Sequence, residues 1–365
     1  MISDRVIENC IKEINEISGI GVIISDTQGN TIAKAGDIKD SDASVIQSFL
    51  QKSSRSMTED DRIYIRISDE GEDLYVLISD DDSRNNVCAR LAASQLQNLV
   101  IAYKDKIDRN LFFQALLLDN LLPVDIYNRA RKLHVETSQK RCVFVIEPIG
   151  TPDGTLTEMV RELFFTEAGD HVTAVDEDRV VVIKALEEDA DKEDLEETAR
   201  MLVDMAGSEA MSDVRVAYGT ITDDIKGVSK SYREAKMALE IGKLFYPLKR
   251  TVEYGNLGVG RLIYQLPVSL CRLFVKEIFG DDIPEEIDEE TLTTVNRFFE
   301  NSLNVSETSR QLFIHRNTLI YRIEKLQKAT GLDVRVFDDA LTLKIALMVV
   351  NYLKYADKDG SVDTA

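Results

Sequence analysis

The first hundred residues alternate between apolar spacings typical of helices and of strands. VIENCIKEINEI repeats apolar residues at helical spacing, which predicts an amphipathic helix over residues 4–16. GIGVIISDTQGNTIAKAGD predicts two short strands, 21–25 and 31–35, around a tight turn. A helix is predicted at 43–51, and after it RIYIRIS and DLYVLIS each predict a strand and together predict a second hairpin.

Helix, hairpin, helix, hairpin is the element order of PAS and GAF sensory domains. By this fold-level analogy we expect residues 1–84 to form a PAS/GAF-like α/β sensor domain, whose ligand the residues do not name. Linker helices should follow over 85–133, because no proline or glycine occurs from 85 to 120 while apolar residues recur. We predict one helix there, about 50 Å long, that pairs with a second copy in a dimer. The alternative is two shorter helices broken near 103–105.

The middle region, 134–250, again mixes strand and helix patterns. RCVFVIEPI, HVTAVDEDRVVVIKAL and VRVAYGTI predict a strand, a hairpin and a strand, with helical patterns between and after them. This order predicts a four-stranded sheet with helices on its faces. We interpret 251–290 as a helical linker, because Pro267 interrupts its helical stretch and the acidic GDDIPEEIDEE follows.

The last region, 291–356, is predicted to be all-α, followed by a tail at 357–365. Its pattern gives helices at 291–301, 305–312, 315–329 and 338–354. Asn304 and Glu307 form an N-cap pair for the second helix, and Gly331 lies where a left-handed C-cap is common. The short turn between the second and third helices gives the dimensions of a helix-turn-helix.

The third of these helices has the two faces of a recognition helix. Leu319, Ile323 and Leu326 fall on one face and should be buried. The side chains suited to DNA fall largely on the other, and base contacts normally come from the first turns. The candidate DNA-binding residues are Arg316, Asn317, Thr318, Tyr321, Arg322 and Lys325. The alternative is a polar face that is only solvated.

Charge is unevenly distributed along the chain. With 65 acidic and 44 basic residues the net charge is -21, but the segment 291–356 holds nine basic and six acidic residues, which gives +3. The rest of the chain therefore carries -24, and only the C-terminal segment does not repel phosphate. No apolar run approaches the roughly 20 residues of a membrane span, so we expect a cytoplasmic protein without membrane partners.

The cysteines and histidines are too dispersed to suggest a metal centre. The four cysteines form no CxxC or CxxH pair and are interpreted as buried reduced thiols, and the three histidines are equally scattered. We expect no metal, no cofactor and no catalytic residues, since no GxSxG, P-loop or HExxH pattern occurs.

The sequence from SETSRQLFIHRNTLIYRIEKLQKATG to DDALTLKIALMV resembles the C-terminal helix-turn-helix of PucR/CdaR-type bacterial transcription regulators. Ser309 departs from the family's usual alanine but is nearly as small. AYG and SYREAKMALEIG resemble the degenerate GGDEF-like domain of the same family. The resemblance covers about 135–354 and implies an α/β multidomain regulator that binds a DNA operator and senses a small-molecule effector, as a homodimer or higher oligomer. The family prototype suggests a carbohydrate acid as effector.

The same resemblance argues against an active cyclase. True cyclases carry glycines and acids on the hairpin turn, where phosphates and metal bind. Here Asp176 and Glu177 replace the glycines and Arg179 replaces the second acid, so we expect no GTP turnover. Glu147, at the end of the first strand, is interpreted as a surface carboxylate and not as a metal ligand. Two alternatives stay open: a non-catalytic nucleotide-sensing module, and a protein-interaction module with a helical dimerisation domain.

Overall fold

The chain divides into two compact units, Met1–Phe113 and Gln114–Ala365. The computed structural model describes residues 2–69, 71–81, 83–150, 155–164, 169–176, 178–209, 211–280 and 289–359. Each unit has its own hydrophobic core and is described separately.

The described part of the N-terminal unit holds a five-stranded antiparallel sheet with strand order β2-β1-β5-β4-β3. Its elements are α1 (Asp4–Ser18), β1 (Val22–Asp26), β2 (Thr31–Ala35), α2 (Ala43–Leu50), β3 (Ser56–Glu59), β4 (Arg62–Asp69), β5 (Glu72–Asp80) and α3 (Ser83–Leu117). The two predicted hairpins are present. The short edge strand β3 was not predicted, because SMTE offers no alternation of buried and exposed residues. A PAS or GAF identity remains a prediction.

Two clusters of apolar side chains cover the two faces of this sheet. α1 and α3 pack on one face, where Ile7, Ile11 and Leu96 are buried with the strand residues Val22 and Leu77. α2 covers the other face, through a cluster that includes Ile46 and Phe49. The sheet is therefore enclosed on both sides, as expected for a domain built of layers around a core.

Helix α3 runs without interruption through Tyr103, so the alternative of two shorter helices is wrong. The long apolar pattern free of glycine and proline continues as one helix because nothing in it removes a backbone hydrogen bond. One side of α3 is buried against the sheet, whereas Val87, Leu91 and Ile101 on the other side are 60%, 65% and 43% exposed.

The first helix that lies wholly in the second unit is α4 (Pro123–Lys132), and the sheet of this unit is mixed and five-stranded, with order β10-β9-β6-β8-β7. The remaining elements of its first part are β6 (Arg141–Pro148), α5 (Thr155–Leu163), β7 (His171–Ala174), β8 (Val180–Ala185), α6 (Lys192–Ser208), β9 (Val214–Tyr218), α7 (Val228–Phe245) and β10 (Thr251–Glu253). Among the described strands, the only parallel neighbours are β9 and β10. The predicted four-stranded sheet thus gains a fifth strand.

The segment 251–290 differs from the predicted helical linker. Its first residues are β10, and α8 (Val259–Tyr264) and α9 (Val268–Phe279) contribute Ile263, Cys271 and Val275 to the core of the C-terminal helices. Pro267 separates the two helices, as predicted, and acts as the N-cap residue of α9. The acidic stretch 281–288 lies outside the described residues.

The C-terminal helices are α10 (Glu289–Glu300), α11 (Val305–Gln311), α12 (Arg316–Thr330) and α13 (Phe337–Asp359). Each predicted helix of this region is present. Val295, Phe298, Leu343 and Ala346 join α10 and α13 in one core with α8, α9 and α12. Within the described ranges, no helix has both the length and the hydropathy to cross a membrane.

Candidate nucleic-acid interface

Local backbone signals set the two helices of the motif. The Asn304 side chain accepts a hydrogen bond from the Glu307 backbone N–H (3.1 Å) and so caps α11, as predicted. Gly331 ends α12 with a left-handed φ of 75°, which also confirms the predicted C-cap. His315 caps the start of α12, where its Nδ1 accepts from the Asn317 N–H at 3.3 Å. α11 and α12 therefore begin and end where the sequence requires.

The inner face of α12 is buried, as the sequence predicted. Leu319, Ile323 and Leu326 are at most 2% exposed and belong to the core of the C-terminal helices. Ser309 lies on the buried side of α11, and its hydroxyl donates to the Val305 carbonyl at 2.7 Å. Because this hydroxyl is satisfied within its own helix, serine is accommodated where the family has alanine.

The start of α12 presents an open polar surface. Arg316, Asn317 and Thr318 are exposed, and so is Tyr321, whose side chain is 66% exposed one turn further on. No ion pair occupies Arg316 within the described part of the chain. A guanidinium, an amide, a hydroxyl and a phenol on one surface supply donors and acceptors for base edges and for phosphates.

Arg322, which is also predicted to contact DNA, is partly buried in the structure, and its contact with DNA stays a prediction. Its side chain is only 21% exposed and pairs with Glu290 of α10. One guanidinium nitrogen also donates to the Thr294 hydroxyl at 3.0 Å. Helical spacing turns this residue toward α10, so it joins α12 to α10. Lys325, one turn further, is half-buried.

Phe313, in the turn of the motif, is a residue that pattern reasoning missed. It has a φ of 54°, in the left-handed region that favours glycine, and its side chain is 95% exposed. Bulky residues rarely adopt this conformation. A large apolar residue in a turn carries no periodic signal, so only its place directly before IHRNT could have drawn attention to it.

The hairpin of the middle domain, where a cyclase would bind nucleotide, is filled by an ion cluster. Arg179 donates from Nε to Glu147 (3.0 Å) and from Nη2 to Glu240 (2.9 Å), and Lys243 bridges the same two carboxylates at 3.1 and 3.0 Å. Asp176 lies 3.8 Å from Arg179. Burial would lower the pKa of Arg179, but the carboxylates of Glu147 and Glu240 raise it, so the guanidinium stays charged. Glu177 lies outside the described residues.

Glu147 is therefore not the surface carboxylate that we expected. Its side chain is 17% exposed and has two cations as partners. Within the described residues, no group of three or more histidine, cysteine or acidic side chains is arranged to hold a metal ion. The cluster also reaches the C-terminal helices, because the Tyr355 hydroxyl of α13 donates to Glu240 at 3.1 Å.

Comparison with known families and proteins finds matches over both the helix-turn-helix and the middle region. The family model of the PucR C-terminal helix-turn-helix domain matches residues 291–349, and that of the GGDEF-like domain matches residues 119–241. The chain is 27% identical to the carbohydrate diacid regulator of Escherichia coli (strain K12) over 238 residues, which are 60% of either protein.

Two further relatives come from Bacillus subtilis (strain 168). The purine catabolism regulatory protein is 27% identical over 36% of this chain and 25% of its own length. The DNA-binding transcriptional activator AdeR is 28% identical over 36% of this chain and 32% of its own length. The match thus spans less than two thirds of each of these three relatives.

Proposed function

We propose that this chain, which is similar to regulators of the PucR/CdaR type, is a cytoplasmic, sequence-specific DNA-binding transcriptional regulator that responds to a small metabolite. The observation that carries the proposal is the exposed start of α12, where Arg316, Asn317 and Thr318 project from a helix whose other face is buried. In helix-turn-helix proteins the first turns of the second helix contact base edges in the major groove. Tyr321 and Lys325 then lie further along the same helix, where phosphate contacts are made.

The charge distribution supports a site-specific mode of binding. The segment 291–356 carries +3, and the remaining -24 disfavours nonspecific attraction to DNA. Specificity then requires that two recognition helices act together on paired half-sites, about 34 Å apart or a multiple of that distance.

Helix α3 supplies a surface through which two copies can pair. Val87, Leu91, Ser94, Asn98 and Ile101 follow one another at alternating spacings of four and three residues, and all are exposed. This is the heptad spacing of a two-stranded coiled coil, and Leu91 and Asn98 occupy the same heptad position. A buried asparagine at that position fixes parallel register, so we propose a parallel homodimer along this face.

The proposed response to a metabolite acts through the N-terminal domain. An effector that binds one arrangement of the dimer more tightly shifts the population toward that arrangement and changes the fit to the half-sites. The effector remains a small metabolite of undefined class, and a carbohydrate acid is the first candidate to test. The middle domain takes no catalytic part in this scheme, because Arg179 and Lys243 already neutralise the carboxylates that would face a metal.

A binding selection with a matched variant tests the proposal. Purified protein is incubated at about 150 mM salt with a pool of short genomic DNA fragments, beside an Arg316→Ala/Asn317→Ala variant. We expect the parent to enrich one paired-half-site sequence that the variant does not enrich. The control is Arg272→Ala, which removes an exposed basic side chain of α9 outside the motif.

Three results would contradict parts of the proposal. Enrichment of the same sequence by the parent and by the Arg316→Ala/Asn317→Ala variant would remove α12 from the interface. A variant that changes oligomeric state and not DNA binding would favour an interaction module with a helical dimer interface. Once an operator is known, a bound effector that leaves operator affinity unchanged would contradict the metabolite response.

A further inference from the structure

Phe313 occupies the left-handed position just after α11, where the backbone favours glycine. The Ile314 N–H donates to the Ser309 carbonyl at 3.1 Å. The Phe313 N–H donates to the Arg310 carbonyl at 3.3 Å. This pair of hydrogen bonds is the Schellman motif, whose left-handed residue is usually glycine. Helix α12 ends in that way with Gly331, whereas α11 is followed by a phenylalanine with a φ of 54°.

The Phe313 ring is not part of the hydrophobic core. Its neighbours Leu312 and Ile314 pack against the core of the C-terminal helices, but the Phe313 side chain is 95% exposed. A ring so exposed buries too little apolar surface to offset the strain of its backbone. Strained residues cluster at functional sites. The ring is therefore available to another molecule.

Phe313 lies close to the surface that is proposed to meet DNA. It comes two residues before His315, the N-cap of α12, and three residues before Arg316. Three residues of fully extended chain span at most about 11 Å, and the major groove is about 12 Å wide. A groove that receives Arg316 therefore has the Phe313 ring within reach of the same few base pairs.

Thymine offers the one methyl group among the base edges of the major groove, where the other distinguishing groups are hydrogen-bond donors and acceptors. A phenylalanine ring can match only the methyl group, since phosphates and sugars are contacted chiefly by charged and polar groups. We propose that the Phe313 ring packs on the C5-methyl group of a thymine in each half-site and so reads that base. This inference rests on the proposed DNA-binding function.

The test compares thymine with uracil in the operator obtained from the fragment selection. Uracil lacks only the C5-methyl group, so each thymine is replaced singly and the affinity of the full chain is measured by titration. We expect one thymine in a half-site whose replacement weakens binding by the parent about fourfold, the value for one buried methyl-sized group. Phe313→Ala should bind the unmodified operator about 15-fold more weakly, because both half-sites lose the contact, and should show no further loss at that thymine.

Two further variants serve as controls. Phe313→Tyr keeps the ring and should keep the preference for thymine over uracil. Phe337→Ala removes a phenylalanine that is 71% exposed at the start of α13, outside the motif, and should leave both affinities unchanged. Denaturant unfolding of Phe313→Ala should match that of the parent, since the ring is exposed, so that the loss of affinity is not a loss of folded protein.

Three results would overturn this inference while DNA binding itself stands. The first is a parent that loses no affinity at any thymine. The second is an equal loss at the same thymine in the parent and in Phe313→Ala, because another residue would then contact the methyl group. The third is a Phe313→Ala variant that changes oligomeric state and not base preference, which would assign the ring to a second protein chain. If the parent selects no operator at all, the proposed function fails and this inference fails with it.

Discussion

Arg316, at the start of α12, and Arg179, on the hairpin of the middle domain, show two opposite uses of one residue type. Arg316 is exposed, and no carboxylate of the described residues pairs with it. Arg179 is 19% exposed and has Glu147 and Glu240 at 2.9 Å. The difference shows that the partners of a basic side chain decide whether it is available to an anion, since a guanidinium already paired with carboxylates has little capacity left for phosphate.

The same contrast recurs within α12. Arg322 lies six residues after Arg316 but faces α10, where Glu290 and Thr294 bind it. Arg316 is therefore expected to act on DNA, and Arg322 and Arg179 on stability.

The largest expected effect is the loss of operator affinity caused by Arg316→Ala. The loss of a base contact should weaken affinity by about 1 to 3 kcal/mol and relax specificity at one position of the half-site. Titration of the selected operator and of its single-base variants measures both quantities. An equal loss on every sequence would mean that Arg316 contacts only the phosphate backbone.

Arg179→Met should act on stability and leave DNA affinity nearly unchanged. It keeps the length of the side chain but leaves Glu147 and Glu240 with Lys243 as their only strong cation partner in the described cluster. Removing one partner of a fully buried ion pair lowers the free energy of unfolding by about 3 to 5 kcal/mol. Because this pair is partly exposed and Lys243 remains, we expect a loss of about 2 kcal/mol. Denaturant unfolding of the full chain measures it, with Arg272→Met as an exposed control. If Arg179→Met lowers the free energy of unfolding no more than Arg272→Met does, the ion cluster does not contribute to stability.

Arg322→Ala separates the two roles within one helix. It removes the pair with Glu290 and the hydrogen bond to Thr294, so stability should fall by about 1 kcal/mol, while the base preference stays the same. Unfolding and operator specificity are both measured, beside Arg316→Ala. If Arg322→Ala instead relaxes specificity at one base, the arginine leaves α10 when DNA binds.

The sequence predicted the parts of the molecule that depend on neighbouring residues. Asn304 and Gly331 mark helix ends by their own backbone preferences, and the spacing of Leu319 and Ile323 identifies the buried face of α12. Such signals are local, so the helix-turn-helix could be delimited before its structure was known.

Long-range pairing explains what the sequence did not predict. Arg322 meets Glu290, 32 residues away, and Arg179 meets Glu240, 61 residues away. Periodicity places a side chain on a helix face or in a turn but does not say which element covers it. For the same reason β10 was assigned to a linker, since its three residues become a strand only through their pairing with β9.

The smallest expected effect is a gain in stability from Phe313→Gly in the turn between α11 and α12. A non-glycine residue in the left-handed region destabilises the folded state by about 1 to 2 kcal/mol. Glycine removes this strain but loses more conformational entropy on folding, which costs about 0.5 to 1 kcal/mol, so the net gain in stability is about 0.5 kcal/mol. Phe313→Ala is the matched control, because it removes the 95% exposed ring but keeps the unfavourable φ. Denaturant unfolding should therefore rank glycine above both alanine and phenylalanine. If phenylalanine is instead more stable than both glycine and alanine, the ring contributes contacts that offset the strain, and Phe313, like Arg179 and Arg322, is held by partners that pattern reasoning does not reveal.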